Sequence, residues 1–193
     1  GVSPDAVSAT VIGGAGGLLP PTSDLAAGNQ FFETLEGMLV TVKAPVAVGP
    51  TNSFGEIFTV VDNDANPGNG TAATGQTARG NLLLTPGADS FGNTDTAGGD
   101  FNPERIQIDD DSGVLTGFAS PAVNVGAHLS DVTGVVTYDF GNYQVVPTQA
   151  YTVTQPATIA KETASLSGDA THLLIASYNA ENLNPKLEYP AHV

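Results

Sequence analysis

The sequence predicts an all-β fold, an antiparallel β-barrel with long acidic loops. Three observations carry that expectation. Short segments alternate between apolar and polar residues and are bounded by turn formers, as the strands of a small barrel are. Helix signals are weak, because 23 Gly and 13 Pro interrupt most candidate stretches. The apolar fraction of 40% over 193 residues is enough for a packed core.

Taken in order, residues 1–28 read as an N-terminal strand and a Gly/Pro-rich connector that contains Pro20-Pro21. Gln30 to Glu36 is the one helix candidate, about two turns long, with Asn29 as N-cap and Gly37 at the stop position. Gly37 to Val42 then alternates, placing Met38, Val40 and Val42 on one face. Phe54 to Val61 is rich in aromatic and β-branched residues and runs into the turn-forming Asp62-Asn63-Asp64. A strand at Asn81 to Thr85 is flanked by two polar, Gly-rich loops, 63–80 and 88–102. Loops longer than about 12–15 residues are usually functional or mobile.

Arg105 to Asp109 alternates with Ile106 and Ile108 inward and the polar residues outward. Val132 to Tyr138 and Tyr143 to Val146 read as a hairpin, with Gly141-Asn142 supplying residues that tolerate positive φ. The barrel therefore spans 29–148 and an extended linker follows over 149–172. Beyond it, Leu173 to Tyr178 alternates as a detached C-terminal strand, within a final segment 173–193. Asn179, Glu181 and Asn182 cluster where that strand ends.

Five basic residues stand against twenty acidic ones, a formal net charge of −15. Such a field repels phosphate backbones and anionic membranes, so strong direct binding of nucleic acid is not expected. No stretch approaches the roughly 20 apolar residues that span a bilayer. Zero cysteines exclude a disulfide scaffold and thiol chemistry. Gly1-Val2-Ser3-Pro4 shows no signal peptide, yet few lysines with abundant Gly, Asn, Asp and Thr suggest a secreted bacterial protein.

Several phrases resemble one arrangement in large secreted bacterial nucleases of the endonuclease/exonuclease/phosphatase superfamily. Phe31-Phe32-Glu33-Thr34-Leu35-Glu36-Gly37-Met38-Leu39-Val40 is similar to their entry strand, and Asn52-Ser53-Phe54-Gly55-Glu56-Ile57 to the strand that follows. Asn102 to Asp110 resembles a later strand, and Val125-Gly126 through Pro147-Thr148 the closing hairpin, although Ala127 replaces the usual acidic residue. His172 to Pro185 resembles the first strand of the catalytic domain, whose metal-binding Asn matches Asn179. The resemblance covers residues 29 to 185 and implies an OB-like accessory barrel placed directly before a metal-dependent phosphodiesterase domain. It also implies that the superfamily's catalytic Glu, His and Asp belong further on than Val193, and the tail 186–193 does not continue the pattern.

Three clusters could bind a cation. Asp62, Asp64 and Asn66 offer oxygens at alternate positions, the start of a calcium-loop pattern. Pro67 and Ala73 stand where an EF-hand needs Gly and Glu, so an EF-hand is excluded and a looser Ca²⁺ site or a solvated Asx turn remains. Asp109, Asp110 and Asp111 place three carboxylates at a strand end, where a divalent ion would relieve repulsion or the charges would discourage edge pairing. The resemblance gives Asn179 a role in holding Mg²⁺ or Ca²⁺ in a complete catalytic domain. Nucleophilic catalysis has little support: the histidines are His128, His172 and His192, and no Gly-x-Ser-x-Gly elbow occurs. Gly13 to Gly17 lacks the Lys-Ser/Thr and the helix of a phosphate loop.

The reading that unites these observations is a non-catalytic accessory barrel of a secreted phosphodiesterase, stabilised by calcium and partnered in cis by the catalytic domain. Its unpaired terminal strand offers a route to oligomers. Two alternatives differ in class: a self-sufficient metal-dependent hydrolase using the acidic loops, and a calcium-stabilised binding or adhesion module for an extracellular polymer.

Overall fold

The computed structural model describes residues 7–22, 24–61, 80–82, 102–110, 114–158, 171 and 175. Contacts divide the chain into two units, Gly1–Ile159 and Ala160–Val193. In the second, the described residues are Thr171 and Ile175, both exposed, and the predicted strand 173–178 otherwise lies outside the description.

The first unit is mostly β with a single described helix. Its elements are β1 (Thr10–Ile12), α1 (Leu25–Glu33), β2 (Leu39–Val42), β3 (Val46–Ala47), β4 (Ile57–Val60), β5 (Ile106–Ile108), β6 (His128–Leu129), β7 (Val132–Asp139), β8 (Asn142–Pro147) and β9 (Val153–Gln155). The strands make one curled sheet, a half-barrel, in the order β1-β2-β7-β8-β5-β4-β3-β6-β9. The sheet is mixed, not wholly antiparallel as expected: β1 pairs with β2, and β5 with β8, in parallel. Parallel neighbours need a crossover, and the chain supplies one through α1 and another through the segment holding β6 and β7.

Register explains the core. Ile57 faces Ile108, Ile108 faces Val145, and Val145 faces Val136, so one row of side chains crosses four strands. Each member of that row is at most 1% exposed. Val40, Val42, Val132, Leu129 and Ile12 extend the same apolar layer, and Phe32 and Leu35 join it from α1 and the turn that follows. Met38, expected on the buried face with Val40 and Val42, is 41% exposed because it lies in the turn before β2 begins.

The alternate row is polar apart from Phe58 at one end. Phe58 faces Gln107, Gln107 faces Gln144, and Gln144 faces Thr137. Gln107 and Asp109 were expected outward, yet they are 3% and 5% exposed. The reason for Gln107 is its place in the middle of the sheet, where cross-strand neighbours on both sides crowd its amide.

The helix starts earlier than the sequence suggests. Asp24, not Asn29, is the N-cap, with extended backbone and a side chain accepting from the Ala27 N–H at 3.1 Å. Gly28 lies inside the helix because α1 presses on Pro103 there, and a Cβ would overlap the proline ring. The β7–β8 hairpin turns through Phe140 and Gly141, with φ of 45° and 82°, one residue before the expected Gly141-Asn142 pair. Positive φ at both central positions matches the right-handed twist of the paired strands.

Strand β9 falls inside the stretch read as an extended linker and pairs with β6. The segments 62–79 and 83–101 lie outside the description, as therefore do most of the two long loops and the predicted strand beyond Leu82. No described helix is long and apolar enough to cross a membrane.

Candidate functional site

Of the proposed metal ligands, Asp62, Asp64, Asn66, Asp111 and Asn179 lie outside the described residues. Asp109 and Asp110 follow β5 directly. The backbone N–H of Asp109 donates to the Val145 carbonyl at 3.1 Å, which continues the β5–β8 pairing into the acidic run. Asp110 accepts a hydrogen bond from the Ser120 N–H and packs against Gly55, whose φ of 85° and missing Cβ leave room for the carboxylate. The Ser120 hydroxyl in turn meets the Tyr151 hydroxyl at 2.7 Å. Asp110 thus ties the 118–120 segment to the sheet. Among the described residues, no group of three or more His, Asp or Glu side chains is arranged to hold a metal ion.

Burial pushes the Tyr151 phenol up to about 12, with the negative charges of Asp110 and Asp109 adding to the rise and the Ser120 hydrogen bond opposing it.

A cleft of about 270 Å³ opens elsewhere on the unit. Its polar lining includes Asn29 from α1, Arg105 and Gln107 around β5, and Asn142 from the hairpin, while Phe58, Tyr138 and Tyr143 supply aromatic surface. The Asn102-Pro103-Glu104-Arg105 turn shapes one wall: Asn102 has a φ of 53°, which Asn tolerates, and its carbonyl accepts from the Arg105 N–H at 3.1 Å. A second hollow of about 550 Å³ borders the same Phe58, Asn102 and Arg105 on the side of Val48, Pro50 and Leu82.

Arg105 stands between the two hollows, its guanidinium 4.4 Å from the Phe58 centroid. The side chain retains solvent exposure, but its head group is desolvated enough to lower its pKa, while the charge of neighbouring Glu104 acts to raise it. Arginine stays protonated throughout. Glu104 itself is fully buried.

Tyr138 and Tyr143 are directly cross-strand and lie 4.8 Å apart, and Tyr143 also stacks on Phe32 at 5.9 Å. The Tyr143 hydroxyl donates to Glu33 at 2.5 Å, and that bond is the main cause that holds its phenol up at about 12. Gln107 adds a feature of a different kind. Its side-chain carbonyl Oε1 is buried with no hydrogen-bond partner among the described residues.

Sequence reasoning did not single out this cleft. The available signals were an arginine at the edge of a predicted strand in a chain with only five basic residues, and two tyrosines spaced to face each other across a hairpin.

Fold and cleft together define a curled, mixed β half-barrel carrying an aromatic- and amide-lined hollow. Residues 18–157 match the model of a family described as a domain of unknown function (DUF8508), and the chain belongs to that family. No curated protein and no solved structure matches the chain.

Proposed function

We propose that the chain is the non-catalytic, OB-like accessory module of a secreted, nuclease-like, metal-dependent phosphodiesterase. The observation that carries this reading is where the nuclease-like phrases fall on the sheet. Glu36-Gly37-Met38 leads into β2, Gly55-Glu56 into β4, Arg105 to Asp109 covers β5, and Val132 to Pro147 forms β7 and β8. These five strands are consecutive neighbours, β2-β7-β8-β5-β4. Phrases separated along the chain therefore meet in one continuous surface, as they would if the likeness were of a whole folded module.

The net charge of −15 supports a positioning role over a direct grip on polyanions. Calcium at the acidic segments 62–66 and 109–111 would offset part of that charge and stabilise the module. The test is the coding sequence read past the codon for Val193. A phosphodiesterase domain continuing the His172–Pro185 strand, with its Glu, His and Asp residues, is the expected result. A reading frame with a different domain, or with none, rejects the proposal.

A further inference from the structure

We infer that the cleft between α1, β5 and the β7–β8 hairpin is a binding site for a neutral saccharide. The first argument is the stranded acceptor. Gln107 is 3% exposed, lines the cleft, and leaves Oε1 without a partner among the described residues. An unsatisfied buried carbonyl is costly in the free protein, so a ligand O–H reaching it recovers a hydrogen bond that no described residue provides.

The second argument is the mixture of lining groups. Asn29 and Asn142 offer amides that both donate and accept, and Arg105 offers donors in a fixed fork. A sugar hydroxyl is likewise donor and acceptor, and it matches such a set better than a group that only accepts. Tyr138, 55% exposed, and its neighbour Tyr143 add aromatic surface for the C–H face of a pyranose ring.

Charge decides between a neutral and an anionic ligand. Among the described residues, Arg105 is the only cation lining the cleft, its head group lies against the Phe58 ring, and the Glu104 charge acts on it. With −15 on the whole chain, a polyanion meets net repulsion on approach, whereas a neutral polyol does not. The volume of about 270 Å³ suits a small ligand, and the second hollow across Arg105 leaves room for a longer oligosaccharide to continue.

The test uses the 193-residue chain and saturation-transfer NMR with four neutral probes: cellotetraose, chitotetraose, maltotetraose and xylotetraose. Tetragalacturonate and a thymidine tetranucleotide serve as anionic comparators. At least one neutral probe should bind with a dissociation constant on the order of millimolar or tighter. Gln107→Leu should weaken that binding about tenfold while leaving the melting temperature equal or higher, because replacing an unsatisfied polar group with an apolar one is neutral or stabilising. Tyr138→Ala, at an exposed position, should also weaken it. Absence of binding by all four neutral probes overturns the inference, as does tighter binding of either anionic probe. Saccharide binding unchanged in both Gln107→Leu and Tyr138→Ala places the ligand elsewhere and overturns it equally.

Discussion

The guanidinium of Arg105 lies 4.4 Å from the centroid of the Phe58 ring, reaching from the start of β5 to β4. A desolvated cation over an aromatic face contributes about 0.5–2 kcal/mol, depending on how much water it has lost. A double-mutant cycle of Arg105→Met and Phe58→Leu, read by urea unfolding, should give a coupling energy of about 1 kcal/mol. Additive effects of the two changes would show that the contact stabilises nothing.

Gly134 lies within β7, where its position faces Pro147 of β8. A Cβ there would collide with the Val146 carbonyl and come within 2.8 Å of a Val145 methyl. Alanine in place of a strand glycine is ordinarily favourable, by reducing unfolded-state freedom. Here the overlap wins, and Gly134→Ala should destabilise by about 1–3 kcal/mol. A raised melting temperature in that variant would contradict the β7–β8 register.

Much of the sheet is legible in the sequence, because alternation survives wherever one face is fully apolar. Ile106 and Ile108 are buried, and Val132 to Val146 forms the hairpin. What alternation cannot show is a polar residue buried by its cross-strand neighbours. Gln107 looks outward in a sequence that contains no trace of β8 lying parallel beside it, since that neighbour arrives from more than thirty residues away. Short strands escape for a related reason: β3 and β6 have two residues each and no period to read. The cleft was hidden because α1, the 102–105 turn and the hairpin converge only through those long-range pairings. The acidic clusters were visible by contrast, since they are contiguous in sequence, and Asp110 proves to hold a backbone N–H.

The helix start distinguishes local from tertiary signals. Asn29 and Asp24 are both good N-cap residues, but only Asp24 has the extended backbone and the bond to Ala27. Asp24→Ala should therefore cost about 1 kcal/mol. Asn29→Ala, at an exposed position inside the helix, should be neutral or gain a few tenths of a kcal/mol from propensity. Equal losses in the two variants would move the cap.

Calcium binding at the acidic segments predicts mass-action stabilisation. Millimolar Ca²⁺ should raise the melting temperature relative to chelator, and Mg²⁺ should do so less, because a loose oxygen cage suits the larger ion. Asp110→Asn keeps an acceptor for the Ser120 N–H while removing charge, so it should reduce the calcium shift without unfolding the protein. Identical melting curves in chelator and in excess calcium would leave Asp109 to Asp111 with structural roles alone.

Alkaline pH should find the weak point of the fold at Tyr151. Its ring is 3% exposed, packs on Phe118 at 5.1 Å, and its hydroxyl meets Ser120. Burial and the nearby carboxylates favour the neutral phenol and raise its pKa from 10.0 to about 12. The unfolded chain, with an ordinary phenol, loses this proton near its reference pKa, while the folded chain holds it two units longer. Stability from this group is thus complete below about pH 10 and declines as pH rises through the folded value, a loss of roughly 2–3 kcal/mol. Tyr143, also held up at about 12, should titrate late in ultraviolet difference absorbance, but its half-exposed ring contributes little to that loss. Tyr151→Phe removes the ionisable group and should flatten the decline in urea midpoint between about pH 10 and 12, at a cost of about 1 kcal/mol at neutral pH for the missing Ser120 bond. A Tyr151→Phe protein that loses stability over that pH window as steeply as the parent would place the alkaline sensitivity in another group.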